Sequence, residues 1–370
     1  MCLLILCYSI ILRAKSTHYN PNCHWFGTTK YAYCKYLRKN PYLCGMTRGR
    51  FAPSPTGRMH LGNVFCALLS WLSAKSKGGE WVLRIEDLDP QRSRREYALQ
   101  LMDDLQWLGL PWDGEPVWQS QRGHIYEEYL HRLQEMGLTY PCYCTRADIM
   151  ATQAPHETDG RVVYKGTCRP KDVILDAEND VADTARVPTA INHISPSIEG
   201  GAGVGLATTR LIVPDCTMPF TDGHYGKHDI NLAEHCGDYI IRRKDGAWAY
   251  QLAVVVDDAL MGVTEIVRGR DLLLSSPQQI HLRELLFPSP LTVDFFHHPL
   301  LCNSEGQRLC KRDKSMDLGY LRGTGITPQE IIGKLAYLAG LTDTTTPITP
   351  SELLPLFSWD KVPTEDIILK

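Results

Sequence analysis

The first forty-five residues contain no aspartate or glutamate, although they hold six lysines or arginines and five of the thirteen cysteines (Cys2, Cys7, Cys23, Cys34, Cys44). The apolar run there, LLILCYSIIL (3–12), falls well short of the roughly 20 residues a bilayer-spanning helix needs. No basic residue precedes it and no small-residue cleavage pattern follows it, which argues against a secretory leader. Internal repeats are lacking. The later cysteines have no disulfide-framework spacing, so a reducing, cytoplasmic compartment is expected. Aromatic–basic clusters that would make an RNA-stacking platform are scarce. Residues 46–370 carry 33 basic and 42 acidic residues, a formal charge of −9 against −3 for the whole chain. A nucleic-acid partner must therefore meet a local basic patch, because the net field repels phosphate. The organised pattern opens at Met46. Residues 1–45 are expected to be an extension, either a disordered basic arm or the product of a mis-set start.

The composition that remains is ordinary for a soluble globular protein, with 44% apolar and 22% charged residues over a length of 370. A strand at 49–54 stops at Pro53, and a helix opens at Gly62 or Asn63 and closes at Gly78–Gly79. EWVLRIEDLDP (80–90) reads as a buried strand with an acidic end, and helices follow up to Gly109 and Gly137. This alternation predicts a parallel sheet covered by helices. Residues 140–236 have weak periodicity, and SIEGGAGVGLATT (197–209) reads as a flexible loop or short insertion. Its glycines are a poor match to a dinucleotide fingerprint. DYIIRRKDGAWAYQLAVVVDD (238–258) reads as two apolar strands around an Asp245–Gly246 turn, and GVTEIVRGRDLL (262–273) as a strand leading into a helix.

The turn between the first strand and helix, RFAPSPTGRMHLGN, is the first candidate site. Backbone N–H groups at a helix N-terminus favour anions, Gly62 permits close approach, and His60 can donate to a phosphate oxygen. The plainer alternative is a tight connection whose histidine only caps the helix. The whole stretch resembles the first signature of the glutamyl- and glutaminyl-tRNA synthetases, class I enzymes with a Rossmann-type catalytic domain. Further landmarks recur in order over about residues 47–320: LRIEDLDPQRS (83–93), WAYQLAVVVDDALMGVTEIVRGRDLL (248–273), and RLCKR (308–312) where the family's lysine loop belongs. That loop has Cys310 where serine is usual and Arg308 where lysine is usual, while Lys311 matches the second lysine.

A free glutamate has two carboxylates and one ammonium, so its pocket needs two donor-rich spots and one acidic one. The resemblance supplies Arg50 and Arg268 for the carboxylates, Glu86 for the ammonium, Tyr250 as an orienting hydroxyl, and Ala52 and Ser54 as further contacts. It also implies an ATP site at His60, Gly62, Asn63 and Lys311, with Mg²⁺ accompanying ATP, and catalytic roles for His60 at the phosphates and Lys311 at the pyrophosphate. Read without the resemblance, Arg50 would be a strand-end surface charge and Tyr250 a core aromatic.

Cys142-x-Cys144 and Cys168 suit a structural Zn²⁺, which wants four ligands. His156 and the Tyr164 phenolate are the candidates for the fourth. The glutamyl-queuosine tRNA(Asp) branch of the family shows Cys-x-Cys, a spacer, then Tyr-x3-Cys, which this chain matches with nineteen residues between Cys144 and Tyr164. In that branch Tyr164 would be the ligand.

Only fifty-eight residues follow Arg312. They are expected to form a short helical stem-contact region without an anticodon-binding domain. The expected organisation is an α/β protein with an extension at 1–45, the first half of a Rossmann-type catalytic domain at 46–139, and a zinc-binding insertion at 140–236. The second catalytic half follows at 237–300 and the lysine loop with its helical region at 301–370. The branch implies ATP-dependent activation of L-glutamate and its transfer to queuosine in the anticodon of tRNA(Asp), by a monomer and away from any membrane. The alternatives are a shortened glutamyl-tRNA synthetase charging a tRNA 3′ end, and a non-catalytic paralogue that binds RNA or glutamate. A small-molecule nucleotidyltransferase shares the turn, but has no need for the paired arginines.

Overall fold

A computed structural model describes residues 46–151, 163–171, 207–287, 292–309 and 317–369. The centre is a parallel sheet of β1 (Arg48–Phe51), β2 (Glu80–Ile85), β3 (Val117–Trp118), β9 (Glu265–Gly269) and β10 (Asp294–His298), ordered β3-β2-β1-β9-β10. β6 (Thr217–Asp222) pairs parallel to β10, and β7 (Gly226–Asn231) pairs antiparallel to β6, extending the same sheet. β6 and β7 come from the stretch read as an insertion, while β8 (Ile240–Arg242), beyond residue 236, joins β4 (Thr139–Cys142) and β5 (Thr208–Leu211) in a separate three-stranded sheet.

β1 and β2 are joined by α1 (Leu61–Ser76). Val64, Phe65, Leu68, Leu69 and Leu72 on α1 are fully buried with Trp81, Leu83 and Ile85 of β2. Burying each such large apolar side chain contributes about 1.5–3 kcal/mol. Gly78 ends the helix at φ +67°, a conformation that a side chain resists. α2 (Arg95–Trp107) and α3 (Gly123–Glu135) follow β2 and β3. This matches the expected α/β, Rossmann-type arrangement.

One element differs. QLAVVVDDAL is not a strand but lies within α6 (Tyr250–Leu260), reached after the short α4 (Arg146–Ala151) and α5 (Leu232–His235). The first half of the hairpin reading stands: β8 enters a turn at Asp245–Gly246 and returns to an isolated bridge between Arg242 and Trp248. Residues Leu252 to Ala259 are all buried, so no polar face breaks the run and periodicity alone could not distinguish strand from helix. The N-terminus of α1 also lies one to two residues earlier than expected. α7 (Ser276–Leu286) covers α6, and α8 (Leu318–Gly323), α9 (Pro328–Leu338) and α10 (Pro350–Leu353) complete the helices. β11 (Leu301–Cys302) pairs with β12 (Ile367–Ile368), tying the described C-terminal residues to the end of the main sheet.

Candidate active site

Arg50 is only 4% exposed, because β1 is a central strand flanked by β2 and β9. Its Nη1 donates to the Val267 carbonyl at 3.2 Å, and its Nε lies 3.4 Å from Asp258. Asp258, on α6, also accepts from Arg84, whose other branch donates to Glu86 at 3.1 Å. Burial works to raise Asp258, but the Arg84 and Arg50 guanidiniums outweigh it and hold the carboxyl below its ordinary range. Burial dominates at Glu86, whose carboxyl is raised despite Arg84. The Glu86 N–H donates to the Pro53 carbonyl at 3.0 Å, which brings the loop carrying Ala52 and Ser54 beside the acidic strand end.

Arg268 projects from the next strand and is 4% exposed. Four groups accept from it: His297 Nε2 at 3.0 Å, Gln279 Oε1 at 2.6 Å, Ser276 Oγ at 2.9 Å and the Leu272 carbonyl at 3.2 Å. His297 faces Asp222 on its other side, with Nδ1 2.6 Å from the carboxylate. Tyr250 opens α6 and keeps 37% of its surface exposed. Glu86, Arg268 and Arg50 are its charged neighbours. The structure thus gathers Arg50, Glu86, Tyr250 and Arg268 around one site. Arg50 is no surface charge and Tyr250 no core aromatic.

At the strand–helix turn, His60 is the N-cap of α1. Its Nδ1 accepts from the Gly62 N–H at 3.1 Å, and Asn63 Oδ1 accepts from the His60 N–H at 3.2 Å. An accepting Nδ1 puts the ring proton on Nε2, the tautomer that can donate to a phosphate. A Cβ at Gly62 would stand 3.0 Å from the imidazole, so glycine is what lets the ring fold back over the helix end. Capping and phosphate donation use different nitrogens and are compatible. His60 also forms a bridge with Asp317, and Leu318 N–H donates to the Met59 carbonyl at 2.9 Å. Asp317 is the first described residue after 310–316, the stretch in which the sequence reading places the lysine loop. Lys311, Arg312 and Cys310 themselves lie outside the described residues.

The cysteine cluster also assembles. Cys142, Cys144 and Cys168 place their sulfurs within 4.8 Å of one another, and the Tyr164 hydroxyl is 3.4 Å from Cys142 and 3.6 Å from Cys144. A tetrahedron with Zn–S bonds of about 2.3 Å has S···S edges of about 3.8 Å, so this donor set fits the ion. Burial pushes the Tyr164 phenol up, as it must for a phenol without a cation. Two features would support its phenolate: the Cys168 N–H donates to its oxygen at 2.7 Å, and the Arg210 guanidinium lies 3.8 Å over its ring. His156 lies outside the described residues.

The family model for tRNA synthetases class I (E and Q), catalytic domain, matches residues 46–352. The chain belongs to this family. Three relatives named "Glutamyl-Q tRNA(Asp) synthetase" are similar across most of their length. That of Symbiobacterium thermophilum is 44% identical over 87% of this chain and 95% of its own. That of Nitratidesulfovibrio vulgaris is 40% identical over 87% and 95%, and that of Neisseria meningitidis serogroup C is 43% identical over 72% and 81%. Among solved structures, a glutamate tRNA ligase from Elizabethkingia meningosepticum in complex with its amino acid superposes with a TM-score of 0.67 at 26% identity, covering 88% of this chain and 67% of that one.

Several residues of this candidate site escaped the sequence reading. Arg84 and Asp258 lie inside the quoted motifs but read there as parts of a strand end and an apolar run. Asp222, His297, Ser276 and Gln279 come from three separate elements, and no short spacing marks them. Neighbouring Asp257 is not part of the site: it accepts from Gln119 at 2.9 Å, Arg122 at 2.6 Å and Tyr126 at 2.7 Å, fixing α3 against α6.

Proposed function

We propose that this chain activates L-glutamate with ATP and transfers it to queuosine in the anticodon of tRNA(Asp). The observation that carries the glutamate assignment is the convergence of two buried arginines, one partly buried carboxylate and one open tyrosine on a single site. The acceptor assignment rests on the relatives, whose printed name states it and whose length this chain spans almost fully. In the first step a carboxylate oxygen of glutamate attacks the α-phosphorus of ATP, the bond to the bridging oxygen breaks, and pyrophosphate leaves. Arg50 and Arg268 hold the glutamate carboxylates, Glu86 the ammonium, Tyr250 orients the chain, and Ala52 and Ser54 line the wall. His60, Gly62 and Asn63 receive the phosphates at the helix N-terminus, and Lys311 serves the pyrophosphate side together with the Mg²⁺ that accompanies ATP. Positioning and charge neutralisation supply most of such catalysis. In the second step a nucleophile of the modified base displaces AMP from the acyl carbon.

Zn²⁺ held by Cys142, Cys144, Tyr164 and Cys168 would act as a structural clamp where β4 meets the 163–171 segment. Cys144→Ser is expected to lower bound zinc and the unfolding temperature together, measured by elemental analysis and calorimetry. Full zinc retention with an unchanged transition would exclude this site. No helix among the described residues is long and apolar enough to cross a membrane.

Transfer of labelled glutamate is the test, using tRNA(Asp) with and without queuosine and tRNA(Glu) in parallel. Label is expected only on queuosine-containing tRNA(Asp). Label on tRNA(Glu) would make this a 3′-end charging enzyme, and no label with intact ATP–pyrophosphate exchange would overturn the acceptor.

A further inference from the structure

Arg268 has five N–H donors, and four of them are already committed within the protein. The guanidinium also hydrogen-bonds Tyr250, so a substrate carboxylate would share or replace that last partner, and the way the guanidinium is tethered decides what glutamate meets. Gln279 is itself held, its amide donating to Gln251 at 2.9 Å. The fourth tether, His297, can accept from the Arg268 Nε–H only while its Nε2 bears a lone pair.

Asp222 enforces that state. Its Oδ1 accepts three backbone N–H groups, from Tyr225 at 2.9 Å, His224 at 3.0 Å and His297 at 3.3 Å, while Oδ2 faces His297 Nδ1 at 2.6 Å. A carboxylate there has no hydrogen to give, so the imidazole proton sits on Nδ1 and Nε2 accepts. Burial together with the nearby Arg268 and Arg50 charges keeps the ring neutral, pushed down to about 4. Asp222 and His297 are almost fully buried, and β10 aligns His297 directly with Arg268 of β9.

We infer that Asp222 and His297 are positioning residues, a relay that fixes the imidazole tautomer and thereby the edge of Arg268 presented to the substrate carboxylate. This rests on the reading of Arg268 as a glutamate ligand. It adds two residues on β6 and β10, outside every motif quoted above, to the determinants of glutamate recognition.

Asp222→Asn separates this relay from simple packing. The three backbone N–H groups oblige the asparagine oxygen to take the Oδ1 position, so its NH2 must face His297 Nδ1. The ring proton then moves to Nε2 and confronts the Arg268 Nε–H. The nearest alternative acceptor is Ser276 Oγ, 3.4 Å from Nε2. In ATP–pyrophosphate exchange the KM for glutamate is expected to rise about tenfold or more, the scale of one lost charge-assisted hydrogen bond, with the KM for ATP and kcat little changed. Nitrogen-15 NMR of histidine-labelled protein reports the tautomer independently and is expected to show the proton moved. A moved proton with an unchanged KM for glutamate overturns the relay. Should Asp222→Asn not fold, His297→Gln and His297→Phe carry the same test. Glutamine keeps an acceptor toward Arg268 and is expected to stay near wild type, whereas phenylalanine raises the KM for glutamate, and equal effects of the two overturn the relay. Arg268→Gln tells the two failures apart. If it leaves the KM for glutamate unchanged, the substrate reading falls and the relay with it. If it raises KM while Asp222→Asn does not, only the relay falls.

Discussion

His60→Asn is expected to slow ATP–pyrophosphate exchange by about a hundred- to a thousandfold, the cost of losing one donor aimed at developing charge, while leaving the unfolding transition almost unmoved. The separation follows from the geometry of the cap. His60 Nδ1 accepts from Gly62 N–H, and the backbone of His60 is held by Asn63. Asparagine offers a side-chain oxygen at nearly the same place and is among the best N-cap residues, so the helix keeps its start. It lacks the far nitrogen proposed to donate to a phosphate. His60→Ala removes both functions and is expected to lose the same activity plus about 1 kcal/mol of stability. Exchange rates compared with urea unfolding for both variants decide the matter. If His60→Asn exchanges at the wild-type rate, the histidine is a cap alone and the phosphate assignment is wrong.

Asp258→Ala should be the most destabilising change at the site, by about 3–5 kcal/mol, because it strips the counterion from charges that water cannot reach. Arg84 is completely buried and Arg50 and Asp258 nearly so, and both guanidiniums turn toward this one carboxylate. Glu86 is the sole other acid bonded to Arg84 among the described residues, and it is the acid proposed above for the substrate ammonium. Denaturant unfolding of wild type and variant gives the difference directly. A loss below about 1 kcal/mol would mean that relaxation or water compensates the cations, contrary to the usual cost of an unpaired buried charge. The wild-type protein carries a matching pH signature. The Asp258 carboxyl is held below its ordinary value of 3.8 in the folded state. Its contribution is therefore complete above that value and disappears as pH falls through the lower folded value. The stability gap between wild type and Asp258→Ala should accordingly narrow on acidification below about pH 4.

The two adjacent aspartates of α6 show where sequence reading stopped. At about 100° per residue, Asp257 and Asp258 face different neighbours. Asp257 fixes α3 through Gln119, Arg122 and Tyr126, whereas Asp258 balances the arginines of the site. Nothing in the letters DD separates these tasks. The same run was read as a strand because eight consecutive buried residues erase the periodicity that distinguishes helix from strand.

The linear sequence by itself determined the strand–turn–helix at His60, the acidic end of β2, the cysteine and tyrosine spacing, and the family, because each depends on residues within a few positions of one another. Local hydrogen bonds, caps and ligand spacings are short-range and leave their mark in short motifs. The tertiary structure alone decided that Arg50 is buried, that Asp258 is its counterion, and that Asp222 and His297 stand behind Arg268. Those relations join β1, β6, β9, β10 and α6 across separations of up to 217 residues. They exist because a parallel sheet sets distant strands side by side, and no local pattern encodes which strand will be the neighbour.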